Sequence, residues 1–568
     1  MVKMNKNFFD GVNPEDAFLD SSNLLGFNTE ASEGKLAKAL SPREVYIVGI
    51  LFLIILIIFT IQLLALQVLQ TDKYSQLSKN NILSKSIIFA ERGVIIDRFG
   101  RELVWNEPQV NNNDENKILT SYSLRKYTNN DGVSHLLGYV SYPVEDKSGR
   151  WWRTNFIPNT GAELSFDNIL RGTNGYKLIE VNAVGDVISS GSIIAPVNGT
   201  NLTLSIDIDI NEQLHDAIKN GVRIAGFKGG AGVIIDIQTG EVVAITSYPE
   251  YDSNTLSDGS DRETISAYNT NESKPFLNRT VQGSYTPGSI IKPYIGAVAL
   301  EEGIITEYTK LLSTGVLKVP NKYNPGQFST FRDWRSGLGW LNIRESIKMS
   351  SSIFFYIIGG GHDTQHGLGI TKISQWAEIF GFGKITGIKL PEESSGLVPT
   401  PEWQKETFGE DSVWRLGNTY HSAIGQYGWL VTPIQAAQYI SSVANGGILN
   451  SPILELNKKG NSRKIPIKPY NLQVIREGMR RGAISGTAQA LNTQGITIAA
   501  KTGTAQLGRN NEYMNSWVVG FWPYDEPRYA FAVVLEEAKA DTLRGAAPAM
   551  RPFFEWLVRE HGADYAIG

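Results

Sequence analysis

Tyr285-Thr286-Pro287-Gly288-Ser289-Ile290-Ile291-Lys292 is the stretch on which the reading of this chain turns. A serine hydroxyl is a weak nucleophile until a neighbouring base takes its proton. The Ser289-x-x-Lys292 spacing puts hydroxyl and amine one helical turn apart on one face. Pro287-Gly288 turns the backbone sharply into that helix. Ser289 then lies at the helix's positive end, where a developing oxyanion is favoured. A lysine acts as a base only if its pKa falls well below about 10.4. Burial and a nearby positive charge both lower it, and Lys501 is the candidate neighbour. The spacing alone is a weak signal, because Ser32-x-x-Lys35 and Ser123-x-x-Lys126 share it.

Two later patterns strengthen it. Ser350-Ser351-Ser352 precedes the apolar run Ile353-Phe354-Phe355. A hydroxyl at Ser350 is placed to relay a proton between Lys292 and a leaving amine. The plainer reading of Ser350 is a helix N-cap. Lys501-Thr502-Gly503-Thr504 follows Ile496–Ala500, which reads as a strand. Gly503 has no side chain, so a substrate backbone can approach and pair with the sheet edge. Lys501, Thr502 and Thr504 are candidate carboxylate binders. The backbone N–H groups near Thr504 and Ser289 are a candidate oxyanion hole. The plainer reading of this pattern is a turn at a strand end.

The bulk numbers fit a globular chain of two or three domains: 568 residues, 42% hydrophobic and 19% charged, with a net charge of -4. No basic excess points to nucleic acid. Cysteine is absent, which excludes disulfides, thiolate metal sites and a cysteine nucleophile. Only six histidines occur, with no His-Glu-x-x-His pattern, and a metal-dependent hydrolase is not expected.

Val45 to Thr71 carries no charge. About 20 apolar residues cross a bilayer's hydrocarbon layer, so 45–71 is expected to be an uncleaved transmembrane helix. Flanking Lys and Arg are nearly balanced and do not orient it. Residues 1–44 are polar and aperiodic, and are expected to form a disordered cytoplasmic tail. Val94–Arg101 reads as a strand entering a turn, and Asn111–Asn116 as a turn cluster. Leu202–Asp207 reads as a strand, 210–224 as an amphipathic helix, and 231–245 as a strand-turn-strand. Residues 252–274 read as a surface loop, 289–445 as largely helical. Strands return at 496–501, 516–520 and 529–535, and a helix at 549–559. This order describes an α+β fold, an antiparallel sheet covered by helices.

Ser-x-x-Lys, a serine triplet and Lys-Thr-Gly, in this order, form a signature of penicillin-recognising serine enzymes. The chain resembles class B penicillin-binding proteins from its anchor to its end. Arg92-Gly93-Val94-Ile95-Ile96-Asp97-Arg98 resembles the family's segment after the membrane. Gly161-Ala162-Glu163 with Leu170-Arg171-Gly172 resembles its pedestal. Asn278-Arg279, His421–Gln426 and Thr432-Pro433 also match. Phe380-Gly381-Phe382-Gly383 and Leu390-Pro391-Glu392 resemble the elongation type, penicillin-binding protein 2. Two departures stand out. Ser352 occupies a position where the family usually has Asn or Asp, and the segment between Asn106 and Gly161 is short. Gly337-Leu338-Gly339 stands where some relatives have Gly-His-Gly, which argues against their bound metal.

The resemblance implies a pedestal at 72–200 and a transpeptidase domain at 201–568 outside the cytoplasmic membrane, the N-terminus lying inside. It implies a D,D-transpeptidase that cross-links peptidoglycan stem peptides, binds β-lactams and needs no cofactor. Catalytic roles fall to Ser289, Lys292, Ser350 and Lys501, and substrate binding to Ser352, Thr502, Gly503 and Thr504. A polytopic glycosyltransferase of the shape, elongation, division and sporulation group, with other elongation proteins, is the implied partner. A carboxypeptidase or β-lactamase, and a non-catalytic β-lactam sensor or scaffold, stay open as alternatives.

Overall fold

A computed structural model describes residues 42–73, 83–109, 122–147, 151–181, 187–321, 324 and 326–562. The expected tail, up to residue 41, and the Asn111–Asn116 cluster lie outside them. The chain divides into two compact units, 1–85 with 178–191, and 86–177 with 192–568.

The first unit contains helix α1, Pro42–Leu64, which continues as a π-helical turn over Ala65–Leu69. Val45–Leu69 contains an 18-residue window with a mean hydropathy of 3.1. Leu51, Phe52 and Phe59 stand exposed. An apolar helix of this length suits a hydrocarbon layer, and the protein is membrane-anchored.

The second unit contains a small sheet with the strand order Leu202–Thr203, Ile95–Ile96, Glu102–Glu107, Leu124–Tyr127. The turn after Ile96 forms as expected: Asp97 Oδ1 accepts from the N–H groups of Phe99 (2.9 Å) and Arg101 (2.8 Å). A buried ion cluster locks this region. Glu163 receives Arg92 at 2.7 Å and Arg125 at 2.7 Å, and Arg92 also reaches Asp167 at 2.8 Å. Arg125 donates onward to Gly93 O (2.7 Å) and Asn106 Oδ1 (2.9 Å). Charges buried this deeply persist only when paired and fully bonded.

The larger part of the unit is a five-stranded antiparallel sheet. Its strands are β1 Gly229–Asp236, β2 Val242–Tyr248, β3 Ala499–Leu507, β4 Tyr513–Trp522 and β5 Tyr529–Lys539, in spatial order β2-β1-β5-β4-β3. The helices that matter here are α2 Ile208–Ala225, α3 Lys292–Glu301, α4 Ile343–Met349, α5 Ser352–Gly360, α6 Pro433–Ala444, α7 Pro469–Ser485 and α8 Ala546–His561. Side chains alternate across the sheet. Phe531, Val533 and Leu535 of β5 enter one core with Leu214 and Ile218 of α2 and Phe553 and Phe554 of α8. Ala530, Ala532 and Val534 face the other core, where Ile434, Ala437 and Ile440 of α6 pack. Small residues on that side let the buried helix lie close to the strand.

The expected α+β architecture is therefore observed, with local corrections. Leu202–Asp207 holds only a two-residue strand, parallel to Ile95–Ile96. Residues 252–274 are not a plain loop. They contain helices Ser253–Asp258 and Arg262–Thr270, started by Asp252 and Asp261, whose carboxylates accept from Thr255 N and Thr264 N. Polar composition hid two short, well-capped helices. The stretch 289–445, expected to be largely helical, is less than half helix: its helices alternate with loops and two strand pairs, Leu311–Ser313 with Gly339–Leu341 and Val316–Pro320 with Phe328–Arg332.

Candidate active site

Ser289 sits in a 3-10 turn, Gly288–Ile291, that runs straight into α3. In 3-10 geometry residues three apart eclipse, which aligns positions 289 and 292. The turn is tied down on several sides. Gly288 N donates to Gly425 O at 3.0 Å, and Tyr285 and Val431 exchange backbone bonds of 3.0 and 2.9 Å. Trp517 Nε1 donates to Thr286 O at 3.0 Å, and the Tyr439 hydroxyl donates to Ile290 O. A Cβ at Gly425 would lie 2.1 Å from Gly288 O. Only glycine fits there, which explains its place in the 421–426 segment.

Lys292 and Lys501 are both buried and converge on Ser350. Lys292 Nζ donates to Ser350 O at 2.7 Å and to Ser352 Oγ at 3.3 Å, and lies 3.5 Å from Ser350 Oγ. Lys501 Nζ donates to Ser350 Oγ at 2.8 Å and to Thr502 O at 2.6 Å. A hydroxyl both accepts and donates, so Ser350 Oγ can bridge a charged and a neutral amine. Burial pushes the Lys292 pKa down to about 7, while the Asp333 carboxylate partly opposes that fall. Lys501 is driven well below the usual lysine range by burial and by the charge of Lys292. Two cations crowding one buried hydroxyl are unfavourable, so the pair favours a neutral member.

Ser350 is not the helix N-cap of its plainer reading. It is the C-cap of α4, with left-handed φ of 58°. Ser351 caps α5 instead, accepting from Phe354 N at 3.3 Å. The capping duty falls one residue later, and the Ser350 hydroxyl is left to the lysines.

Strand β3 is at the sheet edge, and among the described residues β4 is its single partner strand. Its alternation sends Lys501 and Gly503 to one face and Thr502 and Thr504 to the other. Thr502 Oγ1 donates to Thr487 Oγ1 at 2.8 Å, and Thr504 is exposed. A Cβ at Gly503 would lie 2.8 Å from Pro287 O and from Ile290 Cγ2. The glycine is therefore demanded by the turn that bears Ser289, a closer constraint than an approaching substrate.

Among the described residues the half-buried Ser289 hydroxyl makes no hydrogen bond, to either lysine or elsewhere. The structure thus joins Lys292, Ser350, Ser352 and Lys501 directly, and brings Gly503 against the turn bearing Ser289. Two neighbours carry no sequence signal: Thr487, and Asp333, whose Oδ2 accepts from Ser351 Oγ at 2.7 Å. Neither belongs to a motif, and only the fold places them.

A serine beside a lysine, a second hydroxyl shared by two buried amines, and an open sheet margin define an acyl-transfer type of site. Family comparison agrees. Residues 230–555 match the penicillin binding protein transpeptidase domain, and 118–204 the penicillin-binding protein dimerisation domain. The chain belongs to the penicillin-binding protein transpeptidase family. It is 32% identical over 467 residues to the peptidoglycan D,D-transpeptidase MrdA of Escherichia coli (strain K12), covering 76% of this chain and 70% of that protein. The Helicobacter pylori penicillin-binding protein PBP2, solved in complex with MreC, superposes with a TM-score of 0.69 at 26% identity, covering 84% of this chain and 99% of that one. Pseudomonas aeruginosa PBP2, in complex with WCK 5153, gives 0.68 at 29% identity, covering 84% and 98%. Within the family the chain is of the elongation type, penicillin-binding protein 2.

Proposed function

We propose that Ser289 is the nucleophile through which this peptidoglycan D,D-transpeptidase of cell-wall elongation works. Its Oγ attacks the carbonyl carbon between two D-alanines of a stem peptide, and its proton passes to the neutral amine of Lys292. The C–N bond then breaks, and Ser350, fed by the lysines, protonates the departing D-alanine. An amine of a second stem attacks the ester, forms the cross-link and returns a proton to Ser289. The backbone N–H groups of Ser289 and Thr504 are assigned to the oxyanion, Thr502 and Thr504 to the terminal carboxylate, and Gly503 and Ser352 to the walls of the substrate channel. The carrying observation is the placement of Ser350 Oγ between Lys501 and Lys292.

The same proposal divides the chain into a tail at 1–44, a transmembrane helix at 45–71, a pedestal at 72–200 and the transpeptidase domain at 201–568. The N-terminus lies in the cytoplasm and the catalytic domain outside. Elongation-complex proteins are the partners, among them a polytopic glycosyltransferase. The MreC complex of the Helicobacter pylori relative supports partners of this kind.

Mass spectrometry after penicillin treatment tests the nucleophile: the adduct should map to Ser289 and vanish in Ser289→Ala. Equal labelling of that variant would sink the reading. Adding an amine acceptor to a stem-peptide assay should divert acyl groups from hydrolysis to cross-link, and an unchanged product ratio would favour a carboxypeptidase.

A further inference from the structure

Asp333 directly follows the Phe328–Arg332 strand of the hairpin, outside every motif, yet it accepts from two donors of the serine triplet and from the next residue, Ile353. Its Oδ2 accepts from Ser351 Oγ at 2.7 Å and Ile353 N at 3.3 Å, and its Oδ1 accepts from Ser352 N at 2.9 Å. With Ser351 accepting from Phe354 N, the first three N–H groups of α5 are satisfied. Two of them, and the capping hydroxyl, depend on one carboxylate at the helix's positive end. The hairpin end is held in turn. Asp333 N donates to Gly315 O at 3.0 Å, and Ser313 Oγ donates to Asp333 Oδ2 at 3.1 Å. The next residue, Trp334, donates through Nε1 to Met349 O at 2.9 Å, on the other side of Ser350. Phe331 packs edge-on against Tyr420, with centroids 4.9 Å apart.

The corner between α4 and α5 is thus clasped on both sides by Asp333 and Trp334. That corner presents Ser350 O and Ser352 Oγ to Lys292. Position 352 carries a short neutral hydroxyl rather than the Asn or Asp usual in the family. The charge acting on Lys292 is that of Asp333 from the hairpin, whereas Lys501, expected to lower the Lys292 pKa, is instead the group that the Lys292 charge lowers. The ring of Phe355 lies 5.4 Å from its ammonium.

We infer that Asp333 is a positioning residue for acylation: its carboxylate fixes the Ser350–Ser352 corner and supplies, from outside the helices of that corner, the negative charge acting on Lys292 that Ser352 lacks. This rests on Ser289 and Lys292 acting as proposed above. Removing the charge removes an influence that holds Lys292 protonated. The neutral base then persists to lower pH.

The test is the pH profile of Ser289 labelling by fluorescent penicillin, on the full chain in detergent. Asp333→Asn should slow acylation about tenfold through lost charge-assisted bonds and shift the rising limb about one pH unit lower. Asp333→Glu should keep the limb in place. Adding Ser352→Asp to Asp333→Asn should bring the limb back up. A slower rate with an unmoved limb in Asp333→Asn would reduce Asp333 to a structural brace and overturn the inference. Should that variant fail to melt cooperatively, a limb displaced in Asp333→Glu, or in Ser351→Ala, which keeps the charge, would overturn it equally. Label that is absent from the wild type, or persists in Ser289→Ala, would instead remove the underlying acyl-enzyme reading.

Discussion

Lys501 Nζ lies 2.8 Å from Ser350 Oγ, a contact that spans 151 residues and joins the sheet's edge strand to the corner between two helices. The carbonyl of the same serine accepts from Lys292 at 2.7 Å. Ser350 therefore connects two amines that the chain keeps far apart, and its left-handed backbone is what turns both its oxygens toward them.

Ser350→Ala removes the only side chain bonded to both lysines among the described residues. Acylation by fluorescent penicillin should fall by about 10²–10⁴, the range for a lost proton-transfer group, while the melting temperature changes little. A loss smaller than threefold, or about 0.6 kcal/mol in the barrier, would show that the relay runs elsewhere.

The pH profile follows from burial. In the proposed mechanism Lys292 accepts the Ser289 proton only when neutral, and its pKa is lowered to about 7. The sign is that of a base: acylation rises with pH through about 7 and levels above it. Stopped-flow labelling gives the midpoint. A limb that begins only near the ordinary lysine value, about 10.4, would contradict the burial argument.

Gly503→Ala should damage the site more than the fold. The new methyl group meets Pro287 O and Ile290 Cγ2 at 2.8 Å, so the edge strand must move off the nucleophile turn. Overpacking of this kind costs about 1–3 kcal/mol. The expected result is a small fall in melting temperature with a large fall in labelling rate, and unchanged labelling would show that the turn gives way freely.

Glu163→Ala should unlock the region around the small sheet. It leaves Arg92 and Arg125 buried without their shared carboxylate. Breaking such a pair costs about 3–5 kcal/mol. Limited proteolysis should cut the variant within 86–204 under conditions where the wild type resists, and equal resistance would mean that Asp167 and Asn106 compensate.

Much of this protein is legible along the chain because it is written in local periodicity. An uncharged apolar run marks the membrane helix, two apolar runs about the Thr239-Gly240 turn mark β1 and β2, and three short patterns mark Ser289, Ser350 and Lys501. Each depends on neighbours within a few residues. The helices inside 252–274 were hidden, because their signal is an N-cap rather than a hydrophobic stripe.

Sequence alone picked out Lys292, Ser350 and Lys501, which hydrogen bonds join, and Ser289, whose hydroxyl stays unbonded among the described residues. Tertiary structure decided what each does there. It gave the cap to Ser351 and freed Ser350, packed Gly503 against the nucleophile turn, and brought Asp333 to the serine corner from another element. It also lowered the pKa of Lys292, because a pKa answers to burial and to charges across space. Helix caps, close backbone contacts and desolvation are three-dimensional quantities, and no spacing in the chain encodes them.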